Sequence, residues 1–358
     1  MNKQQKGFYH WTLVFFTSLL LTACAGEETT DEDIDHTVPP KRDVQISSPL
    51  NGDQFVIGDE ISVQVDVNHP DLIDELELWV ADTLYQSLDL TSTIVRIPTN
   101  NARVGDTKIF LKYKDGKGDE HRDNRNVTLF SDIVPSVCDV AIVNTYPHLV
   151  GSYTQGLEFY KGKLYESTGR RGLSVVANVD LKTGKHNQFV DLPKNIFGEG
   201  ITIMNDTIYN ISYTAQSCRL FDMNFNLLTE FTYEGEGWGL CNDGQYIIMS
   251  NGSSDLVWRD PRTFREVKRL QVFDNQSNVP QLNELELIDG DIYANIYTDS
   301  KIAQIDTASG KVKRYLNCAS LVNAQQGYVD YLNGIAYNDG KMYVTGKLWP
   351  AMYEIKCE

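Results

Sequence analysis

The chain has 358 residues, with 32 Lys and Arg against 49 Asp and Glu, a net charge of −17 and a pI near 4.8. That balance argues against nucleic acid as a partner, since the densest basic cluster is Lys311-Val312-Lys313-Arg314, which reads as a solvated strand edge. The length accommodates a leader and two domains.

Residues 1–23 read as a signal peptide. Lys3 and Lys6 precede an apolar core from Trp11 to Leu21, too short to span a bilayer. Leu21-Thr22-Ala23-Cys24 resembles the lipobox of bacterial lipoproteins, which implies lipidation of Cys24 and an exported protein anchored to the cell envelope. The outer membrane, on its periplasmic or surface side, is the expected location. Residues 24–43 carry the acidic run Glu27 to Asp35 and then Pro39-Pro40, a composition that cannot bury a core and reads as a disordered tether.

From 44 to 132 short alternating segments such as Ile61–Val65, Leu76–Val80 and Ile109–Tyr113 are separated by turns at Asn51-Gly52, Gly58-Asp59 and Asp115-Gly116. This pattern predicts a small β-sandwich that looks like an immunoglobulin-like module, without the cysteine pair of antibody domains. It contains no evident chemistry and reads as a spacer or contact module.

Residues 138–358 contain a repeat. Five units open at Gln155-Gly156, Glu199-Gly200, Gly237-Trp238, Asn283-Glu284 and Asn333-Gly334, and most carry an apolar-Tyr pair eight or nine residues on. Openings about 40 to 50 residues apart, with strand alternation inside each unit, predict an all-β, five-bladed propeller. The last unit lacks one strand. The segment from Cys138 to Tyr146 is therefore expected to supply it and close the ring, which places Cys138 beside Cys357 and predicts a disulfide between them. Cys218, Cys241 and Cys318 have no assigned partner, and no two cysteines have zinc-ligand spacing.

In a propeller the first strand of each blade lines the central channel. Gln155, Glu199, Gly237, Asn283 and Asn333 should therefore converge, with Glu236, Glu284 and Glu286 nearby. Carboxylates and amides in such a place can shift pKa values, bind a cation or orient a polar substrate. All six histidines precede the second unit, which argues against a serine-histidine or cysteine-histidine mechanism in the channel. Proton transfer would fall to carboxylates or a lysine.

Seven segments then carry a family resemblance: Tyr153-Thr154-Gln155-Gly156-Leu157, Tyr165-Glu166-Ser167-Thr168-Gly169, Phe197-Gly198-Glu199-Gly200, Gly237-Trp238-Gly239-Leu240, Leu282-Asn283-Glu284-Leu285-Glu286, Leu332-Asn333-Gly334-Ile335-Ala336 and Thr345-Gly346-Lys347-Leu348-Trp349-Pro350. In this order they resemble the glutaminyl-peptide cyclotransferases of plants and bacteria, a five-bladed propeller family. The resemblance implies conversion of an N-terminal glutamine to pyroglutamate with release of ammonia, on peptides or proteins. It also implies that Glu199, Asn283 and Lys347 are the key residues. A carboxylate can pass a proton from the α-amine to the leaving amide nitrogen, and fixed donors can hold the developing negative charge on the γ-oxygen. Which of Lys347 and Asn283 faces the oxygen stays open.

Further candidates for substrate binding are Trp238 and Trp349 as walls, Glu166, Glu284 and Glu286 as ammonium partners, and Gln155 and Asn333 as channel amides. No cofactor is required for this chemistry, although a structural cation in the channel is compatible with it. A monomer is expected. The rival readings are a calcium-dependent lactonase-type propeller, built on the oxygen ligands Glu199, Asn283 and Asn333, and a non-catalytic surface propeller that binds peptides or glycans.

Overall fold

The computed structural model describes residues 42–358, so the segments read from sequence as signal peptide and tether, with Cys24, lie outside the described residues up to residue 41. Arg42 and Asp43, assigned to the tether from sequence, are tied to the sandwich. Arg42 Nη1 pairs with Asp123 at 2.6 Å, and Asn68 N donates to the Asp43 carbonyl at 2.8 Å.

The first module is a two-sheet sandwich. Val44–Ser48, Glu60–Val67 and Thr93–Pro98 form one sheet; Gln54–Val56, Glu120–Phe130, Gly105–Asp115, Ile73–Val80 and Thr83–Ser87 form the other, in that order. Alternate residues Ile61, Val63 and Val65 face Leu76, Leu78, Ile109 and Leu111 across one core. This is the period-two pattern of a sheet with one wet face.

Five four-stranded sheets follow. Their innermost strands are Thr154–Tyr160, Gly198–Met204, Leu240–Asn242, Leu282–Ile288 and Leu332–Asn338. Each lies beside the next, and the fifth returns to the first, so the ring has no open seam. The fifth blade takes its outer strand from Ser136–Pro147, which runs antiparallel to Ala351–Cys357 with Val140 opposite Cys357. The start of that strand also pairs in parallel with the outer strand of blade 4, Ser136 opposite Arg314 and Asp139 opposite Asn317. A disulfide joins Cys138 and Cys357 across the closure, while Cys218, Cys241 and Cys318 are buried free thiols.

Burial falls from axis to rim. Every residue of Gly198–Met204 is buried, whereas Leu227–Thr232, the outer strand of the same blade, is mostly exposed. Inner strands are covered on both faces by neighbouring blades, so even their polar residues, such as Glu199 and Asn283, are buried. Each junction between successive blades has its own cluster: Ile201, Ile208 and Phe221 between blades 1 and 2, Ile211, Leu240 and Phe264 between 2 and 3, and Ile248, Leu285 and Ile292 between 3 and 4. Truncating one of these side chains to alanine typically costs about 2–5 kcal/mol.

The sandwich is docked rather than hung on a flexible link. Phe273, in the connection from blade 3 to blade 4, is buried in the sandwich core and meets Phe130 edge-on at 5.8 Å. Gln271 Oε1 accepts from Asp106 N at 2.6 Å, Ser131 N donates to the Asp274 carbonyl at 3.2 Å, and Lys311 pairs with Asp132 at 2.6 Å.

Candidate active site

Close approach of the inner strands creates the site. A Cβ on Gly156 would meet Ile201 N at 2.5 Å, and one on Gly200 would meet Leu240 N at 2.5 Å, so glycine follows the polar opener where backbones touch. Gly239 is tightly placed in the same way against the Asn283 carbonyl. The openers are therefore drawn into one narrow ring, above which lies a cavity of about 220 Å³. That volume falls short of drug-sized pockets and suits a single amino-acid side chain.

Gln155, Glu199, Trp238, Asn283 and Lys347 line the cavity, together with Tyr153, Arg171, Phe197, Tyr213 and Tyr297. The aromatic members form a chain of neighbours around the mouth: Tyr153 and Phe197 at 6.2 Å, Phe197 and Tyr213 at 6.0 Å, Tyr213 and Trp238 at 6.5 Å, Trp238 and Tyr297 at 5.4 Å. All are edge-on contacts, the arrangement ring quadrupoles favour. Tyr331 extends the chain against Tyr297 at 5.1 Å.

Sequence reasoning found Trp238 and missed the others. A signal for three of them was available: Tyr153, Phe197 and Tyr331 stand two residues before Gln155, Glu199 and Asn333, and the strand period puts residues two apart on one face.

Hydrogen bonding separates the residues at the centre into two groups. Gln155 Nε2 donates to Glu199 Oε1 at 3.0 Å, and Asn333 Nδ2 donates to Gln155 Oε1 at 3.1 Å and to the Thr154 carbonyl at 3.0 Å. By contrast, Glu199 Oε2, the Asn283 side-chain amide and Lys347 Nζ have no hydrogen-bond partner among the described residues, and Asn283 Oδ1 is buried. Buried polar groups are ordinarily satisfied, so three idle groups facing one cavity mark a place for a polar ligand. Lys347 Nζ sits 5.2 Å from the Tyr153 ring centre and 4.9 Å from that of Tyr297, held by two π-faces instead of a carboxylate.

Electrostatics reinforce this division. Burial pushes the Glu199 carboxyl well above the ordinary range; the Lys347 charge opposes that and Glu236 adds to it. Burial pushes Lys347 downward, against the attraction of Glu199 and Asp330. Both groups are thus displaced toward the pH range in which proton transfer is useful.

Five residues expected at the substrate lie elsewhere. Glu166 is fully buried beneath the rim, accepting from Ser152 Oγ at 3.1 Å and Thr154 Oγ1 at 2.7 Å, with His148 Nε2 at 3.1 Å and His186 Nε2 at 3.2 Å. Both oxygens of Glu284 are used by backbone across the channel, from Leu157 N at 3.1 Å and Ile335 N at 2.7 Å. Glu286 accepts from Tyr337 N at 3.1 Å. Trp349 is completely buried, its Nε1 donating to the Asp330 carbonyl at 2.9 Å. Asn333 acts on the cavity only through Gln155. These side chains complete the channel's own hydrogen bonds, a demand that a motif by itself does not distinguish from ligand binding.

No group of three or more His, Cys, Asp or Glu among the described residues has metal-binding geometry.

Residues 120–357 match the family model described as glutamine cyclotransferase. A glutaminyl-peptide cyclotransferase of Arabidopsis thaliana is 34% identical over 235 residues, which is 63% of this chain and 73% of the relative. The crystal structure of Myxococcus xanthus glutaminyl cyclase is 31% identical and superposes with a TM-score of 0.60, covering 63% of this chain and 99% of that one. The chain belongs to the glutamine cyclotransferase family, and is an enzyme with glutaminyl-peptide cyclotransferase activity carried on its propeller.

Proposed function

We propose that Glu199 is the proton shuttle of this cyclisation, and that Lys347 and the Asn283 side-chain amide are the fixed donors that stabilise the γ-oxygen. The observation that carries the assignment is that Glu199 Oε2, the Asn283 side-chain amide and Lys347 Nζ have no hydrogen-bond partner among the described residues and their side chains line one cavity, whereas Gln155 and Glu284 are used within the channel. A donor-only ammonium fits an oxygen that gains negative charge.

The neutral α-amine attacks the γ-carbonyl carbon, forming the ring C–N bond while the C–O π electrons move to oxygen beside Lys347. Glu199 Oε2 takes a proton from the attacking nitrogen and returns it to the amide nitrogen. The oxygen's electron pair then re-forms the C=O bond, the C–N bond to that nitrogen breaks, and ammonia leaves. Gln155 holds the other oxygen of Glu199, so the shuttle keeps one orientation. The aromatic rim excludes water and packs the two side-chain methylenes. Because the reaction is intramolecular, holding the folded-back conformer supplies much of the rate.

All steps use side chains, so we propose that no cofactor takes part. The site is complete within one chain, in keeping with a monomeric enzyme. The lipobox-like Leu21 to Cys24 supports an envelope-anchored protein acting on exported peptides, and the three-against-five strand order of the sandwich supports an immunoglobulin-like module. The test is ammonia release from H-Gln-Ala-NH2 by wild type and Glu199→Gln. Release that persists at a near-normal rate in the variant would sink the shuttle.

A further inference from the structure

We propose that Arg170 and Arg171 form a specificity subsite that reads a carboxylate on the residue following the substrate's glutamine. This rests on the cyclisation reading above, which puts the glutamine side chain in the cavity and sends the rest of the peptide out through the mouth.

Both arginines stand on the loop after Gly169, between the second and third strands of blade 1. Arg171 lines the cavity at its exposed edge, and its only hydrogen bond among the described residues is Nη2 to Thr214 Oγ1 at 3.2 Å. Arg170 lies over the Tyr153 ring at 4.9 Å, the same ring that holds Lys347. Its backbone is left-handed, with φ of 81°, and its carbonyl accepts from Leu173 N at 3.0 Å and Ser174 Oγ at 2.8 Å, so the turn presents the two side chains from a fixed base.

Neither guanidinium pairs with a carboxylate among the described residues, although the chain carries 49 acids against 32 basic residues. Two acids stand on this side of the cavity and both are already used: Asp330 accepts from Tyr153 Oη at 2.7 Å and Glu236 from Trp238 Nε1 at 3.0 Å. Two unpaired arginines at the mouth of a strongly acidic protein therefore make a local positive patch with planar, forked donors suited to a carboxylate.

Arg171 lines the cavity and Arg170 lines a second hollow, so the pair stands between the two. The hollow, of about 440 Å³, is shared with Val150, Tyr328, Leu348 and Pro350. Tyr328 is 85% exposed there. A peptide leaving the cavity toward that hollow meets the arginines at its second residue. The carboxylate can come from a side chain or, in a dipeptide, from the C-terminus.

The test compares kcat/KM for H-Gln-Glu-NH2, H-Gln-Ala-NH2, H-Gln-Lys-NH2 and H-Gln-Ala-OH at low ionic strength. We expect the Glu peptide to exceed the Lys peptide by about tenfold, the scale of two partly exposed charge contacts, and the difference to shrink in 0.5 M salt. Comparing H-Gln-Ala-OH with its amide shows whether a C-terminal carboxylate is read as well. Arg171→Lys should keep the order, and the double change Arg170→Glu with Arg171→Glu should invert it. Equal rates in wild type, or an order unchanged by the charge reversal, would overturn the subsite. No ammonia from any of the four would overturn the cyclisation reading itself and the subsite with it.

Discussion

Gln155 and Glu199 are joined by one hydrogen bond, Nε2 to Oε1 at 3.0 Å, while the other oxygen of the carboxylate faces the cavity unpartnered. The amide is itself fixed, because Asn333 donates to its oxygen. One oxygen of Glu199 is therefore an anchor and the other is available to a substrate. The following outcomes depend on that asymmetry.

Glu199→Gln removes proton transfer but keeps size and hydrogen-bonding capacity. Turnover should fall by about two to four orders of magnitude with little change in KM. The buried carboxyl has a raised pKa, so its burial weakens folding increasingly as pH climbs above the ordinary carboxylate range. Thermal melting at pH 8 should accordingly show the variant at least as stable as wild type, which separates lost chemistry from lost fold.

Turnover should rise with pH as Glu199 ionises through its raised pKa, giving an acidic limb. Lys347 pulls that pKa down, so Lys347→Met should move the limb to higher pH and lower turnover by about two to three orders. In Glu199→Gln the limb should vanish. Pre-equilibrium protonation of the substrate is separated by comparing peptides whose α-amines differ in pKa. A limb that stays put in all three proteins would reject the assignment.

Beneath the rim, His148 places Nδ1 at 2.9 Å from the Trp349 carbonyl and Nε2 at 3.1 Å from Glu166, so both nitrogens have acceptors and the ring is held as an imidazolium. The His148 pKa is raised by Glu166 against the opposing effect of burial, and the Glu166 carboxyl is held low by His148 and His186 despite its own burial. Stability from Glu166 is present above about pH 4.5 and lost as pH falls through its lowered pKa; that from His148 is present below about pH 6.5 and lost as pH rises through its raised one. Glu166→Gln leaves a buried cation unpaired and should cost about 3–5 kcal/mol in urea unfolding near neutral pH.

The bridge between Cys138 and Cys357 closes a span of 219 residues. Peptide mapping of unreduced protein should find the two linked. On the chain-entropy model its reduction removes about 5 kcal/mol, read as a lower melting temperature, and the buried Cys218, Cys241 and Cys318 should not substitute for it.

A fragment beginning at residue 133 retains the closing strand Ser136–Pro147 and every residue lining the cavity. It should cyclise glutaminyl peptides with kcat close to that of the whole chain. Removing the sandwich uncovers Phe273, so Phe273→Ser should increase the fragment's solubility. A folded but inactive fragment would show that the sandwich completes the site.

The repeat, the all-strand pattern and the ring closure were legible in the sequence because each is a local or periodic property. Strand alternation, turn residues and a missing strand in the last unit leave few arrangements open. The pairing of Cys138 with Cys357 follows from that closure, since a shared sheet edge puts the two ends opposite one another. The motifs singled out Glu199, Asn283 and Lys347 because they preserve order along the chain, and the fold brings all three to one cavity.

The division of labour inside the ring was decided only in three dimensions. Glu284 and Glu199 open or follow openings in similar motifs, yet one spends both oxygens on Leu157 N and Ile335 N while the other keeps one free. Trp238 and Trp349 likewise share a residue type but not a fate, one on the cavity and the other wholly buried. Whether a polar side chain faces a substrate or a backbone amide depends on which donors the other blades bring within hydrogen-bond reach. Those donors come from residues tens to more than a hundred positions away, and no spacing within one repeat encodes them.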